Sequence, residues 1–263
     1  MANVHPNLVG SIRAISFAQN GEDIILMRAF ADAPGGFYVD VGAGDPIFGS
    51  LTWNLVTLLG WSGIDIEPQP ELASRLRDKH ARGVVLEKVV SRTSGDVSFF
   101  RLEDNWGMST TLKDLAVRHE AEGWSVVEER VESCTLDSVL EQYCDRPIDL
   151  LKIDVEGAEL EVLQSIELRR WMPKVLVVEA TEPASTRSTH EAWESMVTDE
   201  NYVLTLFDGL NRFYVRSDLK QLQDRIRVPA NVFDAYVPLR WWSLFSADVR
   251  AILAGSNATP PIE

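Results

Sequence analysis

Cysteine is nearly absent from this chain. Only Cys134 and Cys144 occur among its 263 residues, and that pair offers neither a zinc-ligand spacing nor a disulfide framework. A reducing compartment is the simplest reading. Long hydrophobic runs are missing as well: no stretch of about 18 apolar residues occurs, which excludes stable membrane insertion through an apolar helix. The start, MANVHPNLVGSIRAISFAQNGED, lacks the uncharged apolar core of a signal peptide, so a soluble, cytoplasmic protein is expected. Basic residues are in deficit, 25 Lys and Arg against 40 Asp and Glu for a net charge of -15. Nucleic acid and anionic membranes are therefore not expected partners. Internal repeats and low-complexity segments are absent too.

What is present is ample apolar content, 45% of residues, enough for one continuous α/β core with short terminal additions. Apolar runs at 37-42, 62-66, 84-90, 148-153 and 174-179 read as buried strands, and helical periods at 24-30, 50-59, 70-80 and 157-169 fit before and between them. Such alternation implies a parallel sheet with right-handed crossovers and a ligand site beyond the carboxyl ends of the strands. Residues 96-102 and 126-133 alternate as strands wet on one face, while 104-125 reads as polar and irregular. Tyr202–Phe207 and Arg212–Val215 flank Asp208-Gly209-Leu210-Asn211 as an antiparallel hairpin closing the sheet. The expected division is a helical lid over 1-36, a main domain over 37-216 with a substrate-side insertion at about 92-135, and a helical extension over 217-263.

Two motifs carry the cofactor reading. Tyr38-Val39-Asp40-Val41-Gly42-Ala43-Gly44-Asp45 opens a buried strand into a glycine turn, and Gly63-Ile64-Asp65-Ile66-Glu67-Pro68 ends a second strand in a carboxylate able to grip two ribose hydroxyls. Both nicotinamide and S-adenosylmethionine enzymes use that pairing. A dinucleotide site wants a third glycine where Ile47 stands, for close helix packing against the pyrophosphate. Its absence, with Asp40 suited to a cationic amine, favours S-adenosylmethionine over NAD. Val89-Val90-Ser91, closing the third strand, is the expected floor for the adenine.

A further constellation, Leu151-Lys152-Ile153-Asp154-Val155-Glu156-Gly157, sets Asp154 and Glu156 at the tip of the next strand, beside the expected methyl donor. Glu159 and Glu161 on the following helix read as a solvated face. Methyl transfer is an in-line displacement that needs alignment and, for an alcohol acceptor, a base. His119 and His190 follow polar segments that reach the sheet's carboxyl edge and are the base candidates.

These residues together resemble the FkbM family of S-adenosylmethionine-dependent methyltransferases, over roughly residues 14 to 236. The shared pieces are Phe17-Ala18-Gln19-Asn20 with Glu22-Asp23, the Asp40 turn, Ile66-Glu67-Pro68, Met108-Ser109-Thr110, Arg118-His119, the Asp154 motif, Val178-Glu179-Ala180-Thr181, His190 with Trp193-Glu194, and Asp208 through Tyr214. Gly21 stands where the branch tends to carry a bulky aromatic, and Gly44 where it tends to carry Asn.

The resemblance implies a Rossmann-like class I methyltransferase fold, with a mostly parallel seven-stranded sheet, an antiparallel hairpin and helices on both faces. It implies transfer to an oxygen, commonly a hydroxyl of a sugar, a glycan or a glycosylated natural product. Gln19 and Glu22 then join Asp40, Gly42, Gly44, Glu67, Ser91 and Asp154 as expected cofactor contacts, and His190 ranks before His119, with Asp154 and Glu156, in catalysis. Asp154 with Glu179 is the alternative, a magnesium site holding acceptor oxygens. A non-catalytic binding subunit is disfavoured, since the cofactor motifs are intact. Val232-Phe233, Tyr236 and Leu239–Phe245 form an apolar tail that either caps the domain or makes a homodimer.

Overall fold

The computed structural model describes residues 13–242 and 244. Its elements begin with β1 (Ala14–Ser16), α1 (Glu22–Ala29), β2 (Phe37–Val41), α2 (Trp53–Leu59), β3 (Ser62–Ile66), α3 (Pro70–Lys79), β4 (Val84–Leu86) and β5 (Val89–Val90). There follow β6 (Gly95–Leu102), α4 (Lys113–Ala121), β7 (Val126–Cys134), α5 (Leu136–Tyr143), β8 (Leu150–Ile153), α6 (Glu159–Leu163), α7 (Leu168–Trp171) and β9 (Val175–Glu179). The chain continues through α8 (Glu194–Thr198), β10 (Tyr202–Phe207), β11 (Asn211–Arg216), α9 (Lys220–Ile226), β12 (Tyr236–Pro238) and α10 (Leu239–Trp242).

The main sheet runs β10-β11-β9-β8-β2-β3-β4. From β9 to β4 the strands are parallel, and β11 lies antiparallel to both β9 and β10. Strands buried on both faces must be apolar at nearly every position, and β2, β8 and β9 are buried throughout. Alternation divides their side chains between two cores. Val39, Val41, Leu151, Ile153, Leu176 and Val178 pack with α5, α6 and α8 on one face. Tyr38, Leu150, Val175, Val177 and Phe213 pack with α1, α2 and α9 on the other. By the same parity, Asp40, Lys152 and Glu179 share the second face, where Asp40 and Lys152 are direct register partners.

Several expected boundaries shift, each for a visible reason. The run 84-90 is broken at Glu87-Lys88: β4 stays in the main sheet, while β5 joins a second sheet of order β5-β7-β6, and Lys88 ion-pairs with Glu132 at 2.6 Å. The helix expected over 157-169 is two short ones, because the Ser165 hydroxyl turns back to the Val162 carbonyl at 2.7 Å and accepts the Leu136 amide. Residues 104-125 are not irregular, since α4 buries Leu115, Ala116 and His119 along one face.

Neither terminal segment is purely helical. β1 pairs in parallel with β12, and Ile15, Phe17, Trp53, Val237 and Trp242 form a third core beneath that pair. Arg28 of α1 also reaches Asp234 at 2.8 Å. The lid and the extension are thus tied to each other across the main domain. Within the apolar tail, Trp242 and Val237 serve the chain's own core, while Val232 and Phe233 are exposed. Residues 1-12 of the expected lid, and Ser243 and Phe245 of the tail, lie outside the described residues. No helix among the described residues is long and apolar enough to cross a membrane.

Candidate functional site

The carboxyl ends of β2, β3 and β8 open onto one pocket. Its floor is the turn that follows β2. Gly42 and Gly44 have φ of +74° and +63°, and a Cβ on Gly42 would stand 1.8 Å from the Asp154 carbonyl oxygen. Only glycine lets these two strand ends come so close. A Cβ on Gly44 would meet the Trp106 indole at 2.7 Å, so the insertion roofs the same turn. Val89, Val90, Phe99 and Trp106 supply an apolar wall, and Gln19 from the lid reaches the opposite side.

Glu67 stands just past the end of β3 and lines the pocket. Its Oε2 accepts the Gly44 amide and its Oε1 the Gln69 amide, both at 2.9 Å. Each oxygen keeps a lone pair for a ligand hydroxyl. Burial pushes the Glu67 carboxyl up to about 7, against the opposing pull of those two amides.

Asp40 does not line the pocket. It lies 2% exposed beneath the turn, 3.1 Å from Lys152 Nζ, so the cationic amine beside it is the protein's own. Lys152 also donates to the Gly42 carbonyl at 2.5 Å and lies 3.5 Å from Asp154 Oδ2. Burial alone would lower the ammonium's pKa, but Asp40 and Asp154 outweigh it and hold it above its ordinary value. Burial likewise raises Asp40 to about 6, with Lys152 opposing.

Asp154 and Glu156 both line the pocket. Glu156 sits at φ +52°, a conformation that costs a non-glycine residue about 1–3 kcal/mol. Its carbonyl is held by the Thr110 hydroxyl at 2.9 Å. Burial, then the Asp154 charge, raises its carboxyl to about 9. Glu159, expected on a solvated face, is buried: its Oε1 accepts the amides of Val155 and Gly157 at 3.3 and 3.0 Å and so shapes the turn that carries Glu156.

Four other expected site residues are placed elsewhere. Glu22 is buried in α1, accepting from the Asn20 amide at 2.7 Å and from Asn211 Nδ2 at 2.8 Å, and burial with the Asp208 charge raises it to about 8. Ser91 donates to Glu161 at 3.2 Å on a neighbouring groove, so of the run Val89-Val90-Ser91 only the two valines line the pocket. His119 faces inward from α4, 3% exposed, and neither ring nitrogen has a hydrogen-bond partner among the described residues. His190 is 3.1 Å from the Ser188 hydroxyl and 3.7 Å from Glu194, on the face of the sheet opposite Lys152. Neither histidine lines the pocket.

Sequence reading passed over Lys152, although a lysine inside an otherwise apolar strand is itself a signal, since burying a lone ammonium is prohibitive. Trp106 and Phe99 were hidden in the insertion, where only the folded hairpin shows which ring faces inward. The glycine turn leads into a loop rather than a helix, α2 starting only at Trp53. The turn itself therefore offers no helix N-terminus to a pyrophosphate.

An S-adenosylmethionine molecule fits this donor set. Glu67 would hold the ribose, Val89, Val90 and Phe99 the adenine, and the acidic wall of Asp154 and Glu156 the positively charged end.

The family model described as the methyltransferase FkbM domain matches residues 40–204, more than half of the chain. Methyltransferase sdnD of Sordaria araneosa is 44% identical over 59 residues, a stretch that spans 22% of each protein. The crystal structure of methyltransferase FkbM from Methylobacillus flagellatus KT aligns with a TM-score of 0.42 at 16% identity, over 69% of this chain and 43% of that one. The chain belongs to the FkbM methyltransferase family.

Proposed function

We propose that the protein is an S-adenosylmethionine-dependent O-methyltransferase with the class I architecture, acting in the cytoplasm on a hydroxyl of a sugar, glycan or glycosylated natural product. The observation that carries this reading is Glu67, a buried strand-tip carboxylate facing a pocket and fastened to the glycine turn through the Gly44 amide. That is the geometry for gripping a ribose beside a turn with no phosphate-binding helix.

S-adenosylmethionine supplies an electrophilic methyl on positive sulfur. When bound it would give that methyl to an acceptor oxygen, with a neutral thioether as leaving group and the hydroxyl proton going to a base. Alignment supplies most of the acceleration. In this chain the pocket would fix the donor between Glu67 and the Asp154 wall, while Trp106 over the glycine turn would exclude water. The titratable groups of the pocket wall nearest the donor's positively charged end are Asp154 and Glu156. Asp154, and Glu156 once ionised, rather than His190, are the proposed proton acceptors. Expression of the full chain with ¹³C-methyl S-adenosylmethionine and a panel of sugar nucleotides tests the reading. A labelled methyl ether on a sugar supports it, and labelling of a nitrogen or carbon acceptor instead refutes the O-methyl assignment.

A further inference from the structure

β8 ends one residue before Asp154, and its parallel neighbour β9 ends on Glu179. Together with Glu156 they bring one carboxylate oxygen each to within 4.8 Å of one another. Glu179 is 6% exposed, and its Oε2 has no hydrogen-bond donor among the described residues. A buried carboxylate oxygen without a donor, on a side chain that meets two other carboxylates, lacks its counter-charge. Lys152, 3.5 Å from Asp154, is already shared with Asp40.

We propose that Asp154, Glu156 and Glu179 hold a divalent cation of the magnesium or manganese type at the inner wall of the pocket. Hard divalent ions take carboxylate oxygens at about 2.0–2.6 Å, which places oxygens on opposite sides of the ion roughly 4–5 Å apart. The observed spread meets that without a backbone change. Three carboxylates leave further positions open to water or to acceptor oxygens, because Asp154 and Glu156 also line the pocket. The ion's use, polarising the acceptor hydroxyl so that its proton leaves more readily, rests on the methyltransferase reading. Its binding does not.

The test is titration of manganese chloride into the chelator-treated full chain at mildly alkaline pH, read by calorimetry and by electron paramagnetic resonance. One ion per chain is expected, displaced by excess magnesium. Glu179→Gln should weaken binding by at least about tenfold and raise the thermal midpoint of the metal-free protein, because it replaces a buried carboxyl crowded against two others. A purely structural glutamate would give a lower midpoint. Absence of manganese binding in the wild type, or equal binding by Glu179→Gln, overturns the proposal and leaves the trio as a proton-sharing cluster. S-adenosylhomocysteine titrated in parallel separates the two readings: binding of the nucleoside without manganese removes only the ion.

Discussion

Lys152 and Asp40 face each other across β8 and β2, with Nζ 3.1 Å from Oδ1, directly beneath the glycine turn whose Gly42 carbonyl the same ammonium holds. The pair links the strand that carries Asp154 to the strand that carries the turn. Removing one member of a buried pair leaves an uncompensated charge and costs about 3–5 kcal/mol. Lys152→Met is expected to lose stability of that order in urea unfolding, and Lys152→Met with Asp40→Asn to recover a large part. A single variant as stable as the wild type would show that the pair does not hold the site together.

Gly42→Ala tests the close approach of the two strand ends. Its Cβ would stand 1.8 Å from the Asp154 carbonyl oxygen at a φ of +74°, so the backbone must move. A loss of about 2 kcal/mol or more is expected, with S-adenosylhomocysteine binding abolished in whatever folds. Native affinity in this variant, measured by calorimetry, would contradict the geometry.

Stability of the ligand-free protein should fall as pH rises. Asp23 and Asp40 are raised to about 6, Glu67 to about 7 and Glu22 to about 8, burial being the first cause in each. Each therefore binds its proton more tightly in the folded chain than in the unfolded one, where carboxyls titrate near their ordinary values. Their stabilisation is whole below those values and is lost through the window from about pH 4 to about pH 8. Urea midpoints taken with chelator present should decline from about pH 5.5 to about pH 8.5. A rising midpoint over that range would reverse the sign.

Replacement of the two groups most often expected to act as base separates their roles. Glu156→Gln should lower turnover by roughly 10²–10⁴, the range for a lost acid–base or ligating group, with S-adenosylhomocysteine affinity nearly kept. His190→Ala, on the other sheet face, should retain most of its rate. The opposite ranking in single-turnover assays would return the base role to His190.

The buried strands were legible because a parallel sheet demands apolar runs, and the glycine turn and Glu67 because strand tips end in recognisable punctuation. What the sequence hid depends on distant partners. Asp40 reads as a ligand group until Lys152 is seen opposite it, a pairing fixed only by the β2–β8 register. Ser91 follows two valines that line the pocket, yet its hydroxyl turns to Glu161 on a neighbouring groove, a partner 70 residues away in the chain. His190 was favoured for its setting in a shared motif, yet the loop from β9 carries it to the far face. α4 escaped notice because its buried stripe is narrow and lies within a polar stretch.

The most direct test of the central claim is calorimetric titration of S-adenosylhomocysteine into the full chain and its Glu67→Ala variant. The account predicts one molecule bound per chain and a loss of at least about tenfold in affinity for the variant, since two ribose hydrogen bonds to a charged group are removed. No binding to the wild type, or equal binding to both proteins, would contradict it.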